Sequence, residues 1–148
     1  MLHRFCVVVA VLLCGVAAAS AQSCQDPINT RQKLMKRSGA MAKIGSDMIK
    51  GAIPFDLAKS KEILAAFAED ANSMPDLFPE CSKTGDHTSV GPAIWERPAN
   101  FKAAIAKFQA DVKHAQETTK DLETLKASFQ TIGKDCGGCH QTFRARSS

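Results

Sequence analysis

The sequence predicts an all-α protein, an antiparallel up-down-up-down four-helix bundle. Three observations predict it. Four stretches carry apolar residues at helical spacing. No stretch shows the apolar–polar alternation of a half-buried strand, and there is no internal repeat. Turn formers gather between the stretches, briefly at two junctions and at length at one. Composition agrees: of 148 residues, 45% are hydrophobic and 23% charged, ordinary values for one soluble domain. Ala, Lys, Leu and Met, which favour helix, are plentiful, whereas Tyr is absent and Trp occurs once.

The first segment reads as a leader rather than as part of the fold. Met1-Leu2-His3-Arg4 is a short basic start, Phe5 to Ala19 is apolar and uncharged, and Ala19-Ser20-Ala21 has the small-x-small form of a cleavage site. The apolar run is shorter than the roughly 20 residues a membrane span needs. Residues 1–21 are therefore expected to be a removed signal peptide, and residues 22–148 a single domain, exported to the periplasm and not membrane-spanning. The net charge of +4 comes with no basic stripe interleaved with aromatics, which sets nucleic acid aside as a partner.

The four helices follow in order. The first is expected from Pro27 to Lys50, with Asp26 as its cap. Leu34, Met41 and Met48 form one apolar row, with Ile28, Met35, Ala42 and Ile49 beside it. Gly51 and Pro54 end it. The second starts at the Asp56 cap and reaches about Met74, with Ile63, Leu64, Phe67 and Ala71 inward, and Pro75 stops it. A turn-rich stretch from Pro75 to about Gly91 is the one long connection. Ile94 and Trp95 lie in a turn before the third helix, which Pro98 opens. Phe101, Ile105, Phe108, Val112 and Ala115 give that helix its amphipathic face. The fourth runs from near Asp121 towards Arg144, with Leu122, Leu125, Phe129, Ile132, Cys136, Cys139 and Phe143 on one face. An isolated helix of such length is marginal in water, so burying the four faces together is what stabilises each of them.

The chemistry lies in Cys136-Gly137-Gly138-Cys139-His140. Two thiols about one helical turn apart match the two vinyl groups of a haem and add across them, and the following His lies beneath the ring and ligates iron. A redox dithiol would be expected at the start of a helix in a βαβ setting, and a zinc site would need a fourth ligand at metal spacing. Neither fits an all-helical chain with its motif near the end. One covalently bound haem c near the C-terminal helix is therefore expected, held by Cys136, Cys139 and His140.

Here the residues resemble a family. The motif near the C-terminus followed by Phe143-Arg144 resembles the class II c-type cytochromes, cytochrome c′ and its c-556 relatives. Arg31-Gln32-Lys33-Leu34-Met35, Lys50-Gly51, Pro54-Phe55-Asp56, Leu77-Phe78-Pro79, Ile94-Trp95, Phe101 and Ile132-Gly133 are similar to family landmarks at similar spacing. The resemblance implies a role for Met35. In cytochrome c′ the first helix presents an apolar residue to the sixth iron position, whereas the c-556 branch has a Met in a Lys-Leu-Met-Lys run, as here. Met35 would then join His140 as a metal ligand, giving low-spin six-coordinate iron and a raised reduction potential. The residues alone leave Met35 open between ligand and core packing, the role assigned to Met41 and Met48. The resemblance also places Arg144 beside the proximal His, where a basic residue favouring a helix C-terminus would equally sit. Arg31, one turn before Met35, is a candidate partner for a haem propionate or a solvated surface residue. His87 and His114 are read as surface residues.

Six cysteines are present. Cys6 and Cys14 leave with the leader. Cys24 precedes the first helix and Cys81 follows the second, so in an antiparallel pair they meet at one end. A Cys24–Cys81 disulfide is expected, stabilising by about 2–4 kcal/mol, the alternative being two separate thiols. The function expected is periplasmic electron transfer, not enzymatic, with redox partner proteins meeting an exposed haem edge through a small transient interface. Homodimerisation through the first two helices is left open. The alternative function is a five-coordinate, high-spin protein binding nitric oxide or carbon monoxide.

Overall fold

The structure is a computed structural model that describes the backbone of residues 2–145 and the side chains of residues 24–145. The leader expected over residues 1–21 lies outside the described side chains. The chain forms α1 (Leu2–Ile49), α2 (Leu57–Ser73), a four-residue α3 (Ala93–Glu96), α4 (Pro98–Thr118) and α5 (Leu122–Phe143), with 3-10 turns at Met74–Leu77 and Glu80–Lys83. The four long helices close a ring: α1 packs on α2 and α5, α2 on α4, and α4 on α5. This is the four-helix bundle read from the sequence.

Local chemistry sets the ends. The Asp56 side chain accepts the Lys59 N–H at 2.9 Å and caps α2. Asp121 accepts from Thr124 N at 2.8 Å while Thr124 Oγ1 accepts from Asp121 N at 3.0 Å, a reciprocal capping box that opens α5. Pro98 stands in the first turn of α4, where its missing N–H costs nothing. Gly51, at φ 73°, turns the chain out of α1 in a conformation that penalises residues with a Cβ. One boundary differs from expectation. The helix expected to start at an Asp26 cap instead runs through it, with Pro27 inside α1. A proline there forfeits one backbone bond at about 3 kcal/mol. The strength of a local signal such as Asp-Pro is overruled when helix continues on both sides of it.

The apolar interior divides into two clusters. The first gathers Met48, Ile63, Leu64, Phe67, Val112, Ala115, Leu125 and Ile132, near the α1–α2 and α4–α5 turns. There α1 and α5 approach so closely that a Cβ on Gly45 would lie 2.0 Å from Phe129 Cζ. The second gathers Met74, Ala93, Ile94, Phe101, Ile105 and Phe143, with Phe78, Trp95 and Cys139 against it. Phe78–Phe101 and Phe101–Phe143 stack edge-on with centroids 4.7 and 5.1 Å apart. A charged knot joins α1 to α2: the fully buried Asp70 accepts from Arg37 Nε at 3.0 Å and Ser38 Oγ at 2.6 Å, and is paired with Arg37 Nη2. A buried carboxylate is tolerable when its lone pairs are met in this way.

The long connection is tied down at three places. Cys24 and Cys81 form a disulfide with Cα atoms 5.6 Å apart, joining α1 to the second 3-10 turn. Gln25 exchanges hydrogen bonds with the Asp86 backbone, its Nε2 donating to Asp86 O at 3.2 Å and its Oε1 accepting from Asp86 N at 3.2 Å. Beyond α5 the chain folds back along the loop, with Gly91 N donating to Phe143 O at 2.7 Å and Ala145 N to Ser89 O at 2.9 Å. A Cβ at Gly91 would meet Phe143 O at 3.2 Å, so this close seam favours glycine.

Candidate haem-binding site

The site is built on the inner faces of α1 and α5, between the two apolar clusters. On α5 the inward positions run Leu125, Ser128, Ile132, Cys136, Cys139 and Phe143. All are buried except Cys139, which is half-buried, and Cys136, which is exposed. On α1 the inward positions run Ile28, Arg31, Met35 and Ala42. Ile28 and Arg31 are buried at 0% and 6% exposure, and Ala42 packs on the first cluster, yet Met35 is 38% exposed. An exposed thioether and an exposed thiol therefore interrupt two adjoining core faces. Each lies where periodicity calls for burial. The α5 face thus carries two thiols with an imidazole one residue on, and the α1 face a thioether.

Those groups suit a covalently held haem. Cys136, Cys139 and His140 fall at i, i+3 and i+4 on α5, one turn of helix. Cys136 and Cys139 are both free. Gly137 and Gly138 have no atom within 4 Å of where a Cβ would stand, which leaves the backbone open to a planar ring. Desolvation by the surrounding helix atoms pushes both thiols up, although Cys136 keeps an exposed surface, and the negative charge of Asp135 adds to it at Cys136 as Cys136 does at Cys139. The same desolvation lowers His140, with the Arg144 cation adding to it, so the imidazole favours its neutral, ligating form. Among the described residues no group of three or more His, Cys, Asp or Glu side chains could hold a bare metal ion, and a zinc site at Cys136, Cys139 and His140 lacks its fourth ligand.

The remaining residues singled out by sequence fall in different places. Met35 stands on α1, the helix that packs against α5. Arg144 follows α5, exposed, its N–H donating to His140 O at 3.2 Å. Arg31 is not a surface residue. Its guanidinium donates to Leu77 O at 3.0 Å, Ser82 Oγ at 2.9 Å, Ser82 O at 3.0 Å and Thr88 Oγ1 at 2.6 Å, and lies 5.2 Å from the Phe78 ring centroid. Four of its five N–H donors thus hold the long loop against α1. Burial lowers its pKa. His87 and His114 are both exposed; His87 adopts φ 59° in the loop, and its carbonyl accepts from Gln32 Nε2 at 2.7 Å.

Two features escaped sequence reading. The acceptors of Arg31 lie 46 to 57 residues away, and nothing local marks them. Beside the attachment motif, Lys107 of α4 pairs with Asp111 and with Asp135 of α5. The Lys107–Asp111 half is legible as an i,i+4 pair, but the cross-helix half is not.

Comparison with known proteins follows the same line. The family model described as Cytochrome C′ matches residues 26–144. The chain is 38% identical over 145 residues to cytochrome c′ of Rhodopseudomonas palustris, covering 98% of both chains. It is 38% identical over 145 residues to cytochrome c-556 of the same organism, covering 95% of this chain and 96% of the relative. A solved cytochrome c′ structure from Rhodopseudomonas palustris superposes with a TM-score of 0.79 at 41% identity, covering 83% of this chain and 98% of that one.

Proposed function

The chain belongs to the cytochrome c′ family, whose members bind a covalently attached c-type haem, and from that membership we propose that it is a periplasmic electron carrier with iron held low-spin between His140 and Met35. An attached haem supplies a one-electron couple. The protein's residues do the rest. Cys136 and Cys139 fix the ring to α5 through their sulfurs, and the neutral imidazole of His140 offers a lone pair from the next turn. Met35 offers a soft, neutral thioether from α1. With both donor side chains on packed helices, little would need to rearrange between redox states, which is what a carrier requires.

The observation that carries this reading is the exposure of Met35 at 38% on a face whose neighbours are buried. Met41 and Met48 on the same helix pack into the first cluster; Met35 has no such partner cluster, and its sulfur is left for another use. The overall identities do not discriminate between the two branches, being 38% to each, so the side chain at position 35 carries the distinction. Among the described residues no helix is long and apolar enough to cross a membrane. Export with cleavage after Ala21 completes the reading, and a redox partner would be met at the haem edge.

The ferric absorption spectrum of the holoprotein at neutral pH tests it. A low-spin spectrum is expected, and Met35→Ala should convert it to a high-spin form that binds carbon monoxide when reduced. A wild-type protein already high-spin would overturn Met35 as ligand and favour the gas-binding alternative.

A further inference from the structure

Asp135 stands apart from the acidic residues of this chain. Its side chain is 6% exposed, and its Oδ2 is buried with no hydrogen-bond partner. Its Oδ1 lies 2.5 Å from Lys107 Nζ, and the same ammonium lies 2.5 Å from Asp111 Oδ2. One cation thus serves two carboxylates across the α4–α5 seam, and one covered carboxylate oxygen there is left without a partner. A buried, unpaired carboxylate oxygen is costly, and the simplest remedy is a proton. The rim of the cluster opens to water, with Lys107 and Asp111 exposed at 61% and 27%, so a proton can reach it. Asp135 directly precedes Cys136, and its charge is felt at the Cys136 sulfur.

We propose that Asp135 is a redox-linked protonation site: it takes up one proton when the attached iron is reduced and releases it on oxidation. The balance is one electron from the donor to ferric iron, giving ferrous iron, and one proton from water to the Asp135 carboxylate, giving the carboxylic acid. The electron would add negative charge to a group attached at the very next residue, near a carboxylate that already shares its counter-ion, so reduction raises its proton affinity. By linkage, protonation raises the affinity for the electron. The charges acting on Asp135 are Lys107 and Asp111 from α4, with His114 acting on Asp111 in turn; no charge of α1 contributes among the described residues. Burial sets the direction, holding Asp135 above the usual carboxylate range against the pull of Lys107.

The inference rests on a covalently attached haem at Cys136 and Cys139, and needs no particular sixth ligand. The test is the reduction potential of the holoprotein from pH 4 to 8, measured spectroelectrochemically. For the wild type the potential should fall as pH rises through the titration of Asp135. A tenfold gain in proton affinity on reduction corresponds to a fall of about 59 mV for a one-electron couple. Asp135→Asn should flatten the profile. Lys107→Gln, a change at an exposed position, should move the titration to higher pH by removing the cation that favours the carboxylate. A flat wild-type profile, a slope retained in Asp135→Asn, or a midpoint unmoved in Lys107→Gln would each overturn the proposal. Spectra from the same samples report spin state separately, so failure of Met35 as ligand and failure of Asp135 as proton site are distinguishable.

Discussion

The two ends of this bundle are made of similar residues and arranged to opposite purposes. At the turn end, Leu64, Ile63, Val112 and Leu125 are fully buried, Phe67 and Phe129 lie 6.1 Å apart, and Gly45 lets α1 and α5 close on each other. At the other end Met35 of α1 and Cys136 of α5 are exposed at positions whose spacing puts them on inward faces. The closed end is held chiefly by apolar contact, with the caps at Asp56 and Asp121 and the buried Thr119–Ser128 hydroxyl pair at its turns. The open end is held from outside, by the disulfide, by the Arg31 knot and by the seam between Gly91 and Phe143. Where inward positions stay exposed, core packing is forfeited and other bonds must hold that end.

The largest break in this contrast comes from the closed end. Leu64→Ala deletes a fully buried side chain and should cost about 2–5 kcal/mol, read by urea unfolding, while leaving the ferric spectrum unchanged. A spectral shift would mean that the two ends are not separable. Cys24→Ser with Cys81→Ser loosens the open end instead. It should cost about 2–4 kcal/mol and raise hydrogen exchange between residues 75 and 91 first. Uniform exchange across the chain would show that the disulfide braces the whole bundle. The smallest effect is expected at the α5 cap. The Thr124 hydroxyl and N–H hold Asp121 below the usual carboxylate range. Its contribution is therefore full above the unfolded-state pKa and is lost as pH falls through the lowered folded value. Asp121→Asn should remove part of the acid dependence of the thermal midpoint, leaving neutral-pH stability little changed.

Much of this was legible in sequence because it depends on short-range physics. Asp56, Asp121 and Pro98 mark helix starts through bonds made within one turn. The apolar row on α2 is buried as its spacing requires, and those on α4 and α5 are buried or half-buried except at Cys136. Cys136, Cys139 and His140 are neighbours on any helix, so their grouping required no knowledge of the fold. Asp26-Pro27 shows the limit of the same reasoning, since a good local start signal lies inside a continuing helix.

What the sequence by itself determined is the set of helices, most of the faces they bury and the grouping of two thiols and an imidazole on the last turns of α5, because each follows from periodicity or from spacing within one element. The tertiary structure alone decided how those faces meet. It left Met35 exposed while burying Ile28 and Arg31 on the same face, and turned Arg31 inward to acceptors on the long loop. It also set Asp135 beside Lys107 with one oxygen unpaired. Those outcomes rest on contacts between distant segments, where a gap of an ångström separates a packed side chain from an available ligand, and no local pattern records that distance.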